Sequence, residues 1–177
     1  MDSVSRRLMK ELKATRNGLN PEIILLEPLS EEDLFSWKAI ISGPPETPYE
    51  GGKFKLSISI TSQYPMTPPV FTFDTKICHP NIHSQSNMRS RSSNLSFLKT
   101  GEVCLDILKT AWSPAWTLQS SCTAISLLLA HPEPGSPLNC DAANLLRCND
   151  ILGYNSLTRM YTRLYAMPAD YGSKDDF

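Results

Sequence analysis

Two irregular segments hold Cys78, His79, His83 and Cys104, four side chains able to do chemistry. Residues 77–83, ICHPNIH, carry one cysteine, two histidines, a proline and an asparagine with neither helical nor strand periodicity. Residues 101–108, GEVCLDIL, carry Cys104, and WSPAW follows at 112–116. Irregular segments bearing reactive groups on a packed scaffold are where active sites are built. Three chemistries fit these residue types. A metal site would use Cys78, His79, His83 and Cys104, although zinc sites show tighter paired spacing. A hydrolytic pair would join Cys104 to His79 or His83, although nothing marks a third, orienting group. The third is a thiol that carries an acyl group, with the neutral amide of Asn81 as hydrogen-bond donor.

The elements that must position these residues divide into strands first and helices after, an α+β pattern. Residues 3–17 predict an N-terminal amphipathic helix, with Val4, Leu8 and Leu12 on one stripe and Arg6, Arg7, Lys10 and Lys13 off it. Asp2 or Ser3 can cap that helix, and Gly18 ends it. Four strands follow, at 21–27, 37–42, 54–60 and 70–74. The third is the clearest: Phe54, Leu56, Ile58 and Ile60 alternate with polar residues. Turns rich in Pro and Gly join them, so the expected sheet is a four-stranded antiparallel meander. C-terminal helices come next. Thr117 is the expected N-cap of the first, with Leu118, Cys122, Ile125 and Leu129 as its buried stripe. Pro132, Pro134 and Pro137 stop it. A last helix is expected over about 152–166, with Tyr154, Leu157, Tyr161 and Leu164 on one face. Ser84–Ser96, SQSNMRSRSSNLS, is polar and without acid or apolar period, and reads as a surface loop.

Composition narrows the setting. The 177 residues suit a single domain. A net charge of -1 gives no bulk attraction to nucleic acid or membrane, and no nucleic-acid partner is expected. Five cysteines at wide spacing, with no CxxC, do not form a disulfide framework and suit a reducing compartment. The N-terminus lacks the apolar core of a signal peptide, and no apolar run is long enough to span a bilayer.

HPN at 79–81, GEVCLDIL at 101–108 and WSPAWTL at 112–118 together resemble the ubiquitin-conjugating enzymes. WKAIISGPPETPYEGG at 37–52, YPMTPPVFTFDTKICHPN at 64–81 and PEPGSPLN at 132–139 match in the same order, so the resemblance spans roughly residues 5–166. The C-terminal stretch from Ser136 to Pro168 is most similar to peroxisomal members of the family. The resemblance implies one catalytic domain over 1–177. Cys104 would accept ubiquitin as a thioester from an activating enzyme and pass it to a protein acceptor. No cofactor is bound, and ATP is used upstream by the activating enzyme, in keeping with the lack of a P-loop here.

Asn81 would donate to the oxyanion or order its loop, and His79 would brace that loop. Ser136 stands where many relatives carry Asp. A hydroxyl cannot deprotonate a lysine as a carboxylate can. A thiol acceptor, with pKa near ~8.5 against ~10.4 for lysine, needs less help. Leu105 and Asp106 match positions near the ubiquitin tail. Arg7 and Lys10 match positions used with the activating enzyme and ligases, and Met66, Pro114 and Ala115 match two loops that dock a RING-type ligase. Further partners implied are a peroxisomal membrane anchor protein and a peroxisomal import receptor as substrate, at the cytosolic face of the peroxisomal membrane. A general cytosolic or nuclear conjugating enzyme and a non-catalytic binding variant of the fold are the alternatives. Between Asn81 and Cys104 lie 22 residues, more than the family's usual spacing, which implies an insertion around 84–98. Closure entropy grows slowly with loop length, so the site survives if the ends of the insertion stay close.

Overall fold

The computed structural model describes residues 3–30, 32–83, 101–103 and 108–167. Helix α1 (Ser3–Asn17) is followed by strands β1 (Ile23–Pro28), β2 (Ser36–Ser42), β3 (Lys53–Ser59) and β4 (Val70–Phe73). Helices α2 (Leu118–Ala130), α3 (Cys140–Arg147) and α4 (Ile151–Tyr161) come after, and α4 runs into a π turn at Thr162–Ala166. The strands form one antiparallel sheet in sequence order, β1-β2-β3-β4. This is the expected meander.

Period two decides which sheet face is buried. Trp37, Ala39 and Ile41 of β2, Phe54, Leu56 and Ile58 of β3, and Phe71 and Phe73 of β4 all point into the core. Between them stand the wetter Lys38, Lys53, Lys55 and Ser57. In β1 the register shifts between Ile23 and Leu25, so Ile23 and Leu26 are the buried pair. That bulge is why the segment reads as an unbroken apolar run. The inner face packs against α1 through Val4, Leu8 and Leu12, and against α2 through Leu118, Cys122, Ile125 and Leu129. Burial pushes the Cys122 thiol up to about 12, so this cysteine is an inert part of the core.

The β2–β3 connection reaches the active region. Tyr49 folds under it, is 1 % exposed, and donates from its hydroxyl to the Cys78 carbonyl at 2.7 Å. Gly43 closes the turn against Gly52 and permits Tyr49 to do this, because a Cβ at Gly43 would lie 1.8 Å from the Tyr49 carbonyl oxygen.

The helical half departs from expectation in two places. Helix α3 is additional, capped by Asn139, whose side chain accepts from the Ala142 N–H. The last helix is divided between α4 and the π turn, and Leu164 is 64 % exposed. With i→i+5 bonds the chain advances more than four residues per turn, so Tyr154, Thr158, Thr162 and Ala166 hold the inward line and Leu164 rotates out.

Candidate active site

The ICHPNIH segment is held by main-chain and side-chain bonds along its length. Its first half is fixed at Cys78 by Tyr49, whose hydroxyl also meets that of Tyr154 at 2.9 Å. His79 is fully buried. Its Nδ1 accepts the Asn81 N–H at 3.0 Å, so the proton sits on Nε2, which donates to the Leu128 carbonyl at 3.0 Å. Burial lowers the His79 pKa to about 4, with the bond to Leu128 working the other way. The ring is therefore neutral and has no free nitrogen for proton transfer. It ties the loop to the end of α2. The Pro80 carbonyl accepts two N–H groups, from Leu138 at 2.8 Å and Asn139 at 2.9 Å.

Asn81 is 2 % exposed, and its whole amide is committed. Nδ2 donates to the carbonyls of Glu133 at 2.7 Å and Ser136 at 3.3 Å, while Oδ1 accepts the Glu133 N–H at 2.8 Å. In this conformation Asn81 orders the 133–136 turn. Ser136 is exposed and meets Asn81 through its main-chain carbonyl. His79, Asn81 and Ser136 are thus brought together. Cys104, Leu105 and Asp106 lie outside the described residues, as does the Ser84–Leu98 insertion.

The two ends of that insertion are described, and they are paired. The N–H of His83 donates to the Glu102 carbonyl at 2.9 Å, and that of Gly101 to the His83 carbonyl at 3.0 Å. Ile82 is bridged to Val103, and Thr72 of β4 to Glu102 on the other side. The N–H of Phe73 donates to the Gly101 carbonyl at 2.8 Å. Gly101 enters this short ladder at φ 95°, a conformation that favours glycine. Val103, one peptide bond before Cys104, is therefore bridged to Ile82, one bond after Asn81.

The expected docking residues fall into two groups. Lys10 is exposed on α1. Arg7 turns inward: it bonds the buried Glu11 carboxylate, donates from Nη2 to the Trp116 carbonyl at 2.8 Å, and lies 5.8 Å from the Tyr64 ring centre. Met66 is 75 % exposed, and Pro114 and Ala115 are exposed as well. Their two loops are joined, because Trp112 Nε1 donates to the Pro65 carbonyl at 2.8 Å. Glu11 gave no signal in the sequence beyond its place four residues after Arg7, although it is central to this region. Among the described residues, no group of three or more His, Cys, Asp or Glu side chains is placed to hold a metal ion.

The family model described as "Ubiquitin-conjugating enzyme" matches residues 7–91 and 89–162. The chain belongs to this family. The two matched stretches meet inside the Ser-rich segment, where the insertion was expected. Among curated relatives, "Protein PEROXIN-4" of Arabidopsis thaliana is 52 % identical over 95 % of this chain and 98 % of its own. "Ubiquitin-conjugating enzyme E2 pex4" of Dictyostelium discoideum is 54 % identical over 92 % and 99 %. Among solved structures, H. polymorpha Pex4p, in complex with the soluble domain of Pex22p, aligns with a TM-score of 0.82. It is 38 % identical over 94 % of this chain and 100 % of that one. The conjugating enzyme thus has the helix–sheet–helices fold of its relatives, and works with ubiquitin and an activating enzyme.

Proposed function

We propose that this conjugating enzyme carries ubiquitin on Cys104 and acts at the cytosolic face of the peroxisomal membrane. The Cys104 thiolate attacks the activated C-terminal carbonyl of ubiquitin, and the activating enzyme's leaving group departs. In the second step an acceptor amine or thiol attacks the thioester and the Cys104 thiolate leaves. Sulfur serves both steps, being a good nucleophile and a good leaving group. ATP is consumed upstream. The observation that carries this reading is the ladder between 82–83 and 101–103. It pairs the chain on either side of the insertion, Ile82 with Val103 and His83 with Gly101 and Glu102.

The high identity to peroxin-4 proteins supports the peroxisomal setting. The complex of the H. polymorpha relative with a Pex22p domain supports recruitment by a membrane-anchored partner. None of the described helices is long and apolar enough to cross a membrane, so recruitment by a partner fits this chain. A RING-type ligase would dock on Met66, Pro114 and Ala115. The substrate is a peroxisomal import receptor. Ser136 in place of a carboxylate favours a cysteine acceptor over lysine, and Leu105 and Asp106 would flank the ubiquitin tail.

Incubation with ubiquitin, activating enzyme and ATP should give an adduct that thiol reduction removes and that Cys104→Ala cannot form. An adduct that persists in Cys104→Ala would overturn the assignment. Discharge of the charged enzyme onto free cysteine should outpace discharge onto free lysine, and the reverse order would remove the acceptor preference.

A further inference from the structure

Glu11 is 6 % exposed in the middle of α1. A carboxylate taken out of water is tolerated only when its oxygens are fully engaged. Here every bond reaches a different piece of chain. Oε1 accepts from Arg7 Nε and, at 2.6 Å, from the Tyr64 hydroxyl. Oε2 accepts at 2.8 Å from the N–H of Leu118, the first residue of α2. That N–H is one of the groups a helix start leaves without an internal partner, and the helix dipole favours the negative charge there.

The bonds continue outward from this carboxylate. Arg7 passes on to the Trp116 carbonyl, and its guanidinium lies against the Tyr64 ring. Trp112 returns to the Pro65 carbonyl, with its ring 6.1 Å from that of Tyr64. The loop that ends in Met66 is therefore held at 64 and 65, and the 112–116 loop is held at both ends. Met66 on one side and Pro114 and Ala115 on the other remain exposed. An apolar residue at position 11 would fill the space but hold none of these three segments in register.

We propose that Glu11 is the positioning residue of the ligase-docking surface, fixing the spacing between Met66 and the Pro114–Ala115 tip before the ligase arrives. This rests on the reading that those tips dock a RING-type ligase. A surface already in its bound geometry loses less freedom on association, so the contribution of Glu11 falls on ligase affinity rather than on the chemistry at the thioester.

The test is discharge of the charged enzyme onto a free nucleophile, measured against rising concentration of a RING ligase that stimulates the wild type. Glu11→Gln keeps the shape but removes the charge and replaces one acceptor oxygen with a donor. The ligase KM should rise about tenfold, the size of one lost charge-assisted bond. The maximal stimulated rate and the unstimulated rate should stay within about twofold. Tyr64→Phe, which removes only the hydroxyl, should raise KM by a smaller factor and covers the case in which Glu11→Gln fails to fold. A lower melting temperature with unchanged KM, or equal loss of stimulated and unstimulated rates, would reduce Glu11 to a structural residue and overturn the proposal. Met66→Ala separates the two readings. If it raises KM while Glu11→Gln and Tyr64→Phe do not, only the role of Glu11 fails. If it leaves KM unchanged, the docking surface itself is wrong and the proposal falls with it.

Discussion

An asparagine side chain offers two N–H donors and acceptor lone pairs on its oxygen, and Asn81 spends both donors and its oxygen on the 133–136 turn. Truncation to alanine leaves the Glu133 N–H and two carbonyls without that partner. Asn81→Ala should therefore cost about 1–3 kcal/mol of stability. For a domain of this size that lowers the melting temperature by roughly 2–10 °C, read by circular dichroism. An unchanged melting temperature, with discharge slowed ~10²–10³-fold, would instead mark a pure oxyanion donor. His79 makes a second prediction. Its folded pKa of about 4 lies below the ordinary 6.5, so between those values the unfolded chain binds more protons. The stability His79 contributes is complete above the ordinary value, falls as pH drops through this window, and is gone below about 4. The total is on the order of 3 kcal/mol, and His79→Gln should flatten that part of a denaturation-versus-pH curve. A wild-type curve flat from 6.5 to 4 would contradict the buried neutral ring. The HPN string made both residues visible in the sequence as loop residues. Glu11 was not visible, because its partners Tyr64 and Leu118 lie 53 and 107 positions away.

Among the elements, legibility followed side-chain size and period. Strand β3 was readable because large apolar residues alternate without interruption, and α2 because four of its residues repeat on one side after the Thr117 cap. Helix α3 was not readable: it is eight residues long and buries only Ala142 and Ala143, too little to print a stripe. Leu164 was misplaced because a π turn shifts the phase that a 3.6-residue period assumes. The ladder between 82–83 and 101–103 was out of reach too, since two-residue pairings carry no periodic signal. That ladder pairs the chain on either side of the expected insertion. Deleting Ser84–Ser96 leaves four residues, Phe97–Thr100, to span paired ends. Shortening the loop should stabilise the enzyme by roughly 1 kcal/mol through reduced closure entropy. Thioester formation with activating enzyme should proceed at the wild-type rate. A slower or faster rate in a single-turnover charging assay would assign the insertion a part in charging.

Across the whole molecule, apolar burial is uneven. The main core unites α1, all four strands and α2, and receives Ala166 from the π turn. The α3–α4 pair has a separate, smaller cluster of Cys78, Ala142 and Tyr154, flanked by the partly buried Leu145, Leu146, Leu157 and Tyr161. Leu152 at the start of α4 is 79 % exposed. Segments with less buried apolar surface open at lower free-energy cost. Native-state hydrogen exchange should therefore show the amides of α3 exchanging through a sub-global opening, well before those of β3 and α2. One polar link across this boundary is the Tyr154 hydroxyl, beside the Leu138 and Asn139 N–H groups that donate to the Pro80 carbonyl. Tyr49 spends its proton on the Cys78 carbonyl, so it is Tyr154 that donates to Tyr49. Tyr154→Phe removes that bond while leaving Tyr49 satisfied and the ring in place. The loss is about 1 kcal/mol, which should speed exchange in α3 by roughly fivefold and leave α2 unchanged. A uniform increase across all elements would mean that α3 opens only when the whole domain unfolds. The confined change, in contrast, would establish that the helical end of the molecule opens apart from the body that carries the HPN loop.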